Sequence, residues 1–223
     1  LARERCSGCG QCQRFCRFNA ILALPDRVLV FEELCSSCGG CALVCPEDAL
    51  YGAPREIGTL QTGEAPTGGE RSIQFMSATL DVGEARSVPL IEGLLHRTER
   101  EGTVIVDAPP GASCSAMAIA KSADLVVLVT EPTPFGLHDL KQAVAMTEVL
   151  RKPLLAVINR CNLGDGVTRR YLEKKSIESV AKIPYLTEVA EAYAQGKMAV
   201  EQSERFRKLI EPLASRIAGQ GAP

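Results

Sequence analysis

Tryptophan is absent from this sequence of 223 residues, and six Phe with four Tyr bring the aromatic share to only 4%. The chain therefore lacks the aromatic platforms on which proteins stack single-stranded bases. It also lacks a basic excess: 25 Lys and Arg stand against 27 Asp and Glu, a net charge of −2. That balance argues against a general nucleic-acid binder. Long apolar runs are missing too. The longest, Leu125 to Val129 and Pro153 to Ile158, fall far short of the roughly 20 residues that cross a bilayer. No charged-then-apolar leader opens the chain, so secretion is unsupported. These absences leave the cytoplasm as the expected compartment, with neither nucleic acid nor membrane as an expected partner. Histidine is scarce: His96 and His138 fall on expected helices without companion ligands, where surface or capping roles are the ordinary use.

What is abundant is cysteine. Eight of the ten lie between Cys6 and Cys45, and only Cys114 and Cys161 lie outside. A disulfide framework suits a small secreted domain, whereas tight local spacing of this kind reads as metal binding. The spacing is C-x2-C-x2-C-x3-C, and it occurs twice at a period of 29 residues: Cys6, Cys9, Cys12 and Cys16 return as Cys35, Cys38, Cys41 and Cys45. Iron and sulfide are soft partners for thiolate. Spacings of three let one loop wrap three corners of a cubic cluster, with Gly8, Gly10, Gly39 and Gly40 permitting the turns. A structural zinc would need only one such run per ion. In two-cluster ferredoxins the fourth cysteine of each run serves the other cluster. That rule assigns Cys6, Cys9, Cys12 and Cys45 to one [4Fe–4S] cluster and Cys35, Cys38, Cys41 and Cys16 to a second. Pro46 follows the second run as the motif prefers, while Arg17 replaces proline after the first.

Along the chain, Ile21 to Leu24 and Val28 to Phe31 flank Pro25-Asp26 as a short hairpin inside a module spanning 1–52. A connecting hairpin is expected over 53–82, with Glu56 to Gln61 and Ser72 to Leu80 as strands and Gly63, Pro66, Gly68 and Gly69 at its turn. From 83 to 223 short β-rich runs at Thr103 to Asp107, Leu125 to Thr130, Leu154 to Ile158 and Val180 to Ile183 alternate with helical patterns near 112–122, 136–151 and 168–176. Ser87 before Val88-Pro89 reads as a helix start. Two further helices, near 186–196 and 203–218, close the chain. Alternation of this kind predicts an α/β domain with a parallel sheet covered on both faces. The last helix carries Phe206, Leu209, Ile210, Leu213 and Ile217 on one side, a stripe whose ordinary use is docking onto the sheet. Arg169-Arg170 and Lys174-Lys175, interleaved with Glu173, read as a solvated face, and Cys114 and Cys161 as small buried residues.

Asp107 ends an apolar run and is followed by Ala108-Pro109-Pro110-Gly111. An acid at the carboxyl end of a parallel strand stands where open α/β sheets bind ligands, although a helix cap is the plain alternative. Together with Val129 to Asp139 (Val-Thr-Glu-Pro-Thr-Pro-Phe-Gly-Leu-His-Asp) and Val157-Ile-Asn-Arg160, this stretch resembles the MinD/ParA class of deviant P-loop ATPases. Nearly all of residues 1 to 218, including Cys16-Arg-Phe-Asn-Ala-Ile21 and Arg55-Glu-Ile-Gly58, is similar to the subgroup with a two-cluster ferredoxin inserted in the ATPase domain. The resemblance implies that Asp107, Pro109, Pro110 and Gly111 act with Mg²⁺ and the switch region. It implies that Asn159, beside Arg160, recognises adenine, and that Pro184 and Tyr185 line the base pocket.

One element of that class is missing. No Gly-rich loop ending in Gly-Lys-Ser/Thr occurs to cradle phosphates; Gly196-Lys197 follows a helical run and precedes Met198. In the resembled subgroup the loop precedes the ferredoxin insert, and the chain opens on Leu1 rather than Met. The expectation is a chain without its N-terminal strand, phosphate loop and first helix, and natural loss of ATPase function is the alternative. ATP and Mg²⁺ are thus expected of the intact parent only, and this chain is expected to be inactive alone. The leading functional expectation is electron transfer through two clusters, nucleotide-dependent in the parent. A redox partner protein is expected, and a homodimer or related ATPase subunit is conceivable. A cluster assembly or carrier ATPase and a cluster-braced interaction module are the alternatives.

Overall fold

The structure, a computed structural model, describes residues 1–66, 72–98, 102–164 and 166–219. Its contacts group into two compact units, Leu1–Leu94 and Leu95–Pro223.

In the first unit the sequence repeat becomes a repeat of backbone shape. A single 3₁₀ turn, Arg3–Arg5, precedes Cys6, and a short helix α1 (Gln11–Phe15) follows it. The second half places a turn at Glu32–Leu34 before Cys35, then α2 (Gly40–Leu43). Left-handed backbone falls at matched positions: Gly8 with Ser37, Gly10 with Gly39, and Asn19 with Asp48. Glycine takes that conformation freely, whereas Ser37 bears it at a cost on the order of 1 kcal/mol. Strands β1 (Ile21–Ala23) and β2 (Val28–Val30) pair antiparallel, with Ile21 opposite Val30. The halves clasp through equivalent bonds: the Ala2 N–H donates to Ala49 O and the Phe31 N–H to Ala20 O, both at 2.8 Å. Ala20 and Ala49, each 1% exposed, form the centre with Ile21. So small a core cannot supply much stability by itself, which leaves a bracing role for whatever the thiols bind.

The same unit continues into a hairpin of β3 (Gly58–Pro66) and β4 (Ser72–Leu80), with Gly58 opposite Leu80 and Pro66 opposite Ser72. The expected turn at Gly63 and Pro66 is overruled: β3 runs through both. Gly63 is held in register against Phe75, and Pro66 sits at the strand end of a two-stranded ribbon, where proline is tolerated. Gly68 and Gly69 lie outside the described residues. Helix α3 (Val88–Arg97) starts directly after Ser87, as its capping pattern predicts.

The second unit is built on a parallel sheet in the order β5 (Val126–Thr130), β6 (Leu154–Asn159), β7 (Glu178–Ile183). The central strand is buried on both faces, as its unbroken apolar run requires: Leu155, Ala156, Val157 and Ile158 are 0–4% exposed. Ala156 and Ile158 pack against Leu140 and Val144 of α5 (Pro134–Leu150) and Leu172 of α6 (Val167–Lys174). Helix α5 is started by Thr133, whose hydroxyl accepts the Gly136 N–H at 3.0 Å, with Pro134 in the first turn. Alternate residues of β6 and β7 face the other way. A second cluster of Leu186, Ala199 and Phe206 gathers Ile183 of β7 with Leu209 and Ile210. It joins α7 (Thr187–Ala194), α8 (Ala199–Gln202) and α9 (Glu204–Ala218). The apolar stripe of α9 is thus spent on packing, with Arg216 reaching Glu178 of β7 at 3.1 Å. Arg169 pairs with Glu173 on the exposed face of α6. No helix among the described residues is long and apolar enough to cross a membrane.

Two expectations fail here. Thr103 to Asp107 is not a buried strand: it is unpaired backbone, with Val104 47% and Ile105 81% exposed. A β-rich run becomes a strand only where a neighbour takes up its N–H and C=O groups, and β5 is paired to β6 alone among the described residues. Cys114 is exposed rather than buried, as the first residue of α4 (Cys114–Ser122) after the capping Ser113. Cys161 is half-buried, packed against the α5–α6 side of the sheet.

Candidate functional site

The cysteines gather around two hollows in the first unit, and the grouping crosses the sequence repeat. One hollow is lined by Cys6, Cys9, Cys12 and Cys45, with Gly8 and Gly10 in its wall. The other is lined by Cys16, Cys35, Cys38 and Cys41, with Ser36 and Gly39. Each thus takes three thiols from one loop and the fourth from the other half, because α1 and α2 carry Cys16 and Cys45 across to the opposite loop. None of the eight is in a disulfide. Among the described residues no three His, Cys, Asp or Glu side chains converge closely enough for a single ion. Zinc would draw four thiols to about 2.3 Å; thiols spread around an open centre fit a multi-atom cluster instead.

The local groups favour bound thiolate. The Ala20 N–H donates to Cys16 Sγ at 3.4 Å and its repeat-mate, the Ala49 N–H, to Cys45 Sγ at 3.3 Å. The Ala49 amide is the main reason the Cys45 thiol is pushed below its ordinary range. Cys38 is pushed down as well, first by the Gly40 amide and then by Ser36. Ser36 Oγ is buried in the wall of the second hollow, with Cys38 as its neighbour. Burial pushes Cys12 and Cys41 up, which disfavours empty, ionised thiols there and is relieved when cationic iron binds.

A network that sequence inspection missed stands beside the second hollow. The Arg86 guanidinium donates to Ser37 Oγ in the loop between Cys35 and Cys38. Arg86 Nε also donates to Glu84 Oε1 at 2.9 Å. Arg55 grips the other oxygen of Glu84, whose side chain is only 6% exposed. Hydrogen bonding from Arg86, with the charge of Arg55 behind it, lowers the Glu84 carboxyl to about 2. Arg86 is correspondingly raised, first by Glu84 and more weakly by the Cys35 thiolate. Ser37 and Arg86 are 49 residues apart, so no local spacing signals the pair; Arg55 alone stood in a quoted motif.

In the second unit, the carboxyl ends of the strands bring together some of the remaining candidates. Asn159 closes β6, and its Oδ1 accepts the Arg160 N–H at 3.0 Å. Arg160 lies in left-handed backbone, pairs with Glu131 at 3.4 Å, and stacks over the Tyr185 ring at 5.9 Å. The Tyr185 N–H donates to Asn162 Oδ1 at 2.7 Å, and Pro184 lies between β7 and that tyrosine. A Cβ on Gly164 would meet Pro132 O at 2.4 Å, so only glycine lets the loops after β5 and β6 approach so closely. Asp107, Pro109 and Pro110 are exposed in backbone outside any helix or strand. This sequence has no Gly-Lys-Ser/Thr loop to add a phosphate cradle to this rim. The residues present fit iron–sulfur clusters and do not by themselves fit a complete nucleotide.

Comparison with known proteins agrees with the first unit most strongly. Residues 5–50 match the family model described as a 4Fe-4S dicluster domain. Three proteins of Methanocaldococcus jannaschii are similar over larger stretches. One uncharacterized protein is 34% identical over 113 residues, 51% of this chain and 38% of the relative. A second is 30% identical over 159 residues, 70% of this chain and 54% of the relative. A protein named iron-sulfur cluster carrier protein is 23% identical over 137 residues, 52% of this chain and 47% of the relative. The chain therefore spans about half or less of the length of the curated relatives it matches. Eight thiols around two hollows and the matched family model together make residues 5–50 a ferredoxin-like 4Fe-4S dicluster domain, followed in the chain by a three-stranded parallel sheet flanked by helices.

Proposed function

We propose that this chain is an electron-transfer protein holding two [4Fe–4S] clusters. Cys6, Cys9, Cys12 and Cys45 would ligate the first, and Cys16, Cys35, Cys38 and Cys41 the second. The observation that carries this reading is the grouping of four thiols around each hollow. Such clusters supply one-electron chemistry at potentials anywhere from roughly −700 to +450 mV. The chain's own residues hold the thiolates, donate amide N–H groups to sulfur and limit water. Four ligands per cluster, all from one chain, favour retention over release. A carrier role has one observation in its favour, the name of the relative that is 23% identical, and the wider MinD/ParA reading would make the second unit part of a nucleotide site in the whole protein. Asn159, Arg160, Pro184 and Tyr185 would then face a base and Asp107 to Gly111 a Mg²⁺-bound phosphate. A cytoplasmic setting and a redox partner protein complete the proposal.

Protein purified without oxygen is expected to be brown and to contain about eight iron and eight sulfide per chain, as two four-iron clusters require. Stoichiometric zinc without sulfide sinks the reading. Quantitative release of both clusters to an apo-ferredoxin, in the absence of chelator, would replace electron transfer by delivery.

A further inference from the structure

The two halves of the cluster-binding module are related by a 29-residue repeat, yet their charged surroundings are not. Arg17 and Phe18 stand in the wall of the second hollow, whereas of their repeat-mates Pro46 and Glu47 only Glu47 lines the first. Ser37, which receives the Arg86 guanidinium, is the repeat-mate of Gly8, which has no side chain to receive anything. Arg55, Glu84 and Arg86 together leave one net positive charge beside the second loop. Arg86 is only 20% exposed and Glu84 6%, so this charge is less screened than one on the open surface. Exposed charges work the other way: Arg14 lies near Gly10 of the first loop, and Arg3 and Arg5 precede Cys6 where Glu32 and Leu34 precede Cys35. Arg5 and its partner Asp48 are largely exposed, however, and hence more screened.

Resting on the two-cluster reading above, we propose that Arg86 is a positioning residue that makes the cluster beside Cys35 and Cys38 the easier of the two to reduce. An electron delivered by a one-electron donor protein then comes to rest there. Reduction adds one electron and one negative charge to the cluster, with no bond made or broken. A nearby fixed cation stabilises that extra charge and raises the potential, as do hydrogen bonds toward the sulfurs and loop. Ser37 transmits the effect by fixing the guanidinium against the loop, and Glu84 with Arg55 fixes its direction.

The test is a redox titration of the full chain followed by electron paramagnetic resonance, after iron and sulfide counts on every variant. Cys9→Ser and Cys38→Ser assign the signals to the first and second clusters. The wild type is expected to reduce the second cluster first. Arg86→Gln is expected to shift the division of one electron between the clusters about tenfold toward the first, equivalent to about 59 mV. The whole shift should fall on the second cluster. Arg86→Lys should restore most of it, and Ser37→Gly, which suits the left-handed backbone, should give a smaller shift of the same sign. Arg14→Gln should leave the second cluster unmoved. Two intact clusters with unchanged potentials in Arg86→Gln overturn the inference alone; loss of iron with no shift in the clusters that remain assigns Arg86 a merely structural role and overturns it too. A wild-type chain holding fewer than two clusters overturns the two-cluster reading, and this inference with it.

Discussion

At the scale of single residues, the decisive feature is that Cys16 and Cys45 serve hollows other than those of their sequence neighbours. Cys16 ends its own C-x2-C-x2-C-x3-C run but lines the hollow with Cys35, Cys38 and Cys41. The reason is geometric: a short helix that begins just before the third cysteine, α1 through Cys12 and α2 through Cys41, turns the chain away, so the fourth thiol lines the hollow across the repeat. Cys16→Ala is therefore expected to damage the second cluster and leave most of the first, and Cys45→Ala to do the reverse. Spectra that resolve the two clusters decide this, and loss of the local cluster in each variant would show two self-contained sites. Each variant also loses a sulfur that accepts a backbone N–H, from Ala20 or Ala49. Some loss of stability should accompany the loss of iron.

At the scale of elements, the parallel sheet and its helices behave as an ordinary packed layer. Leu172 of α6 is 1% exposed and sits among Leu140, Val144 and Ile158. Leu172→Ala removes apolar contacts and leaves a cavity, and is expected to cost about 2–5 kcal/mol. Ser203 starts α9 by accepting the Phe206 N–H at 3.1 Å, and Ser203→Ala should cost about 1 kcal/mol. Denaturant titration followed by far-ultraviolet circular dichroism should report both losses. Absorption of the clusters near 400 nm should hardly respond, because neither residue belongs to the unit that carries the thiols. Joint loss of colour and helix in Leu172→Ala would show that the two units unfold as one.

At the scale of the whole molecule, the MinD/ParA reading proposed above would make the strand ends of the second unit one side of a nucleotide site, without the part that neutralises phosphate. Asn159, Arg160 and Tyr185 meet at the strand ends, while Asp107 is exposed in backbone outside any strand. In phosphoryl transfer, positioning and charge stabilisation are nearly all of the catalysis, and no loop of this chain supplies backbone amides and a lysine for them. The 223-residue chain is accordingly expected to show no ATP turnover and no calorimetric binding tighter than about 1 mM, a free energy of roughly −4 kcal/mol. Asp107→Ala should change neither. Submicromolar Mg²⁺-dependent binding by this chain would mean that the phosphates are held by groups other than the missing loop.

The amino-acid sequence by itself determined the doubled cysteine run and its 29-residue repeat, the three parallel strands and the helices between them. Those features are local: ligand spacing is set within one loop, and apolar periodicity within one element. It ended β3 too early, at Gln61, because the ladder holds Gly63 and Pro66 in register against β4. It made a strand of Thr103 to Asp107, because β-propensity cannot say whether a neighbour exists to complete the ladder. Only the tertiary structure decided the Arg55–Glu84–Arg86–Ser37 chain and the meeting of Glu131, Arg160 and Tyr185. Both join residues far apart in sequence, and ion pairs of that kind leave no periodic trace. Which thiols stand at cluster spacing is a local property of the chain; which charges stand beside them is decided by the fold.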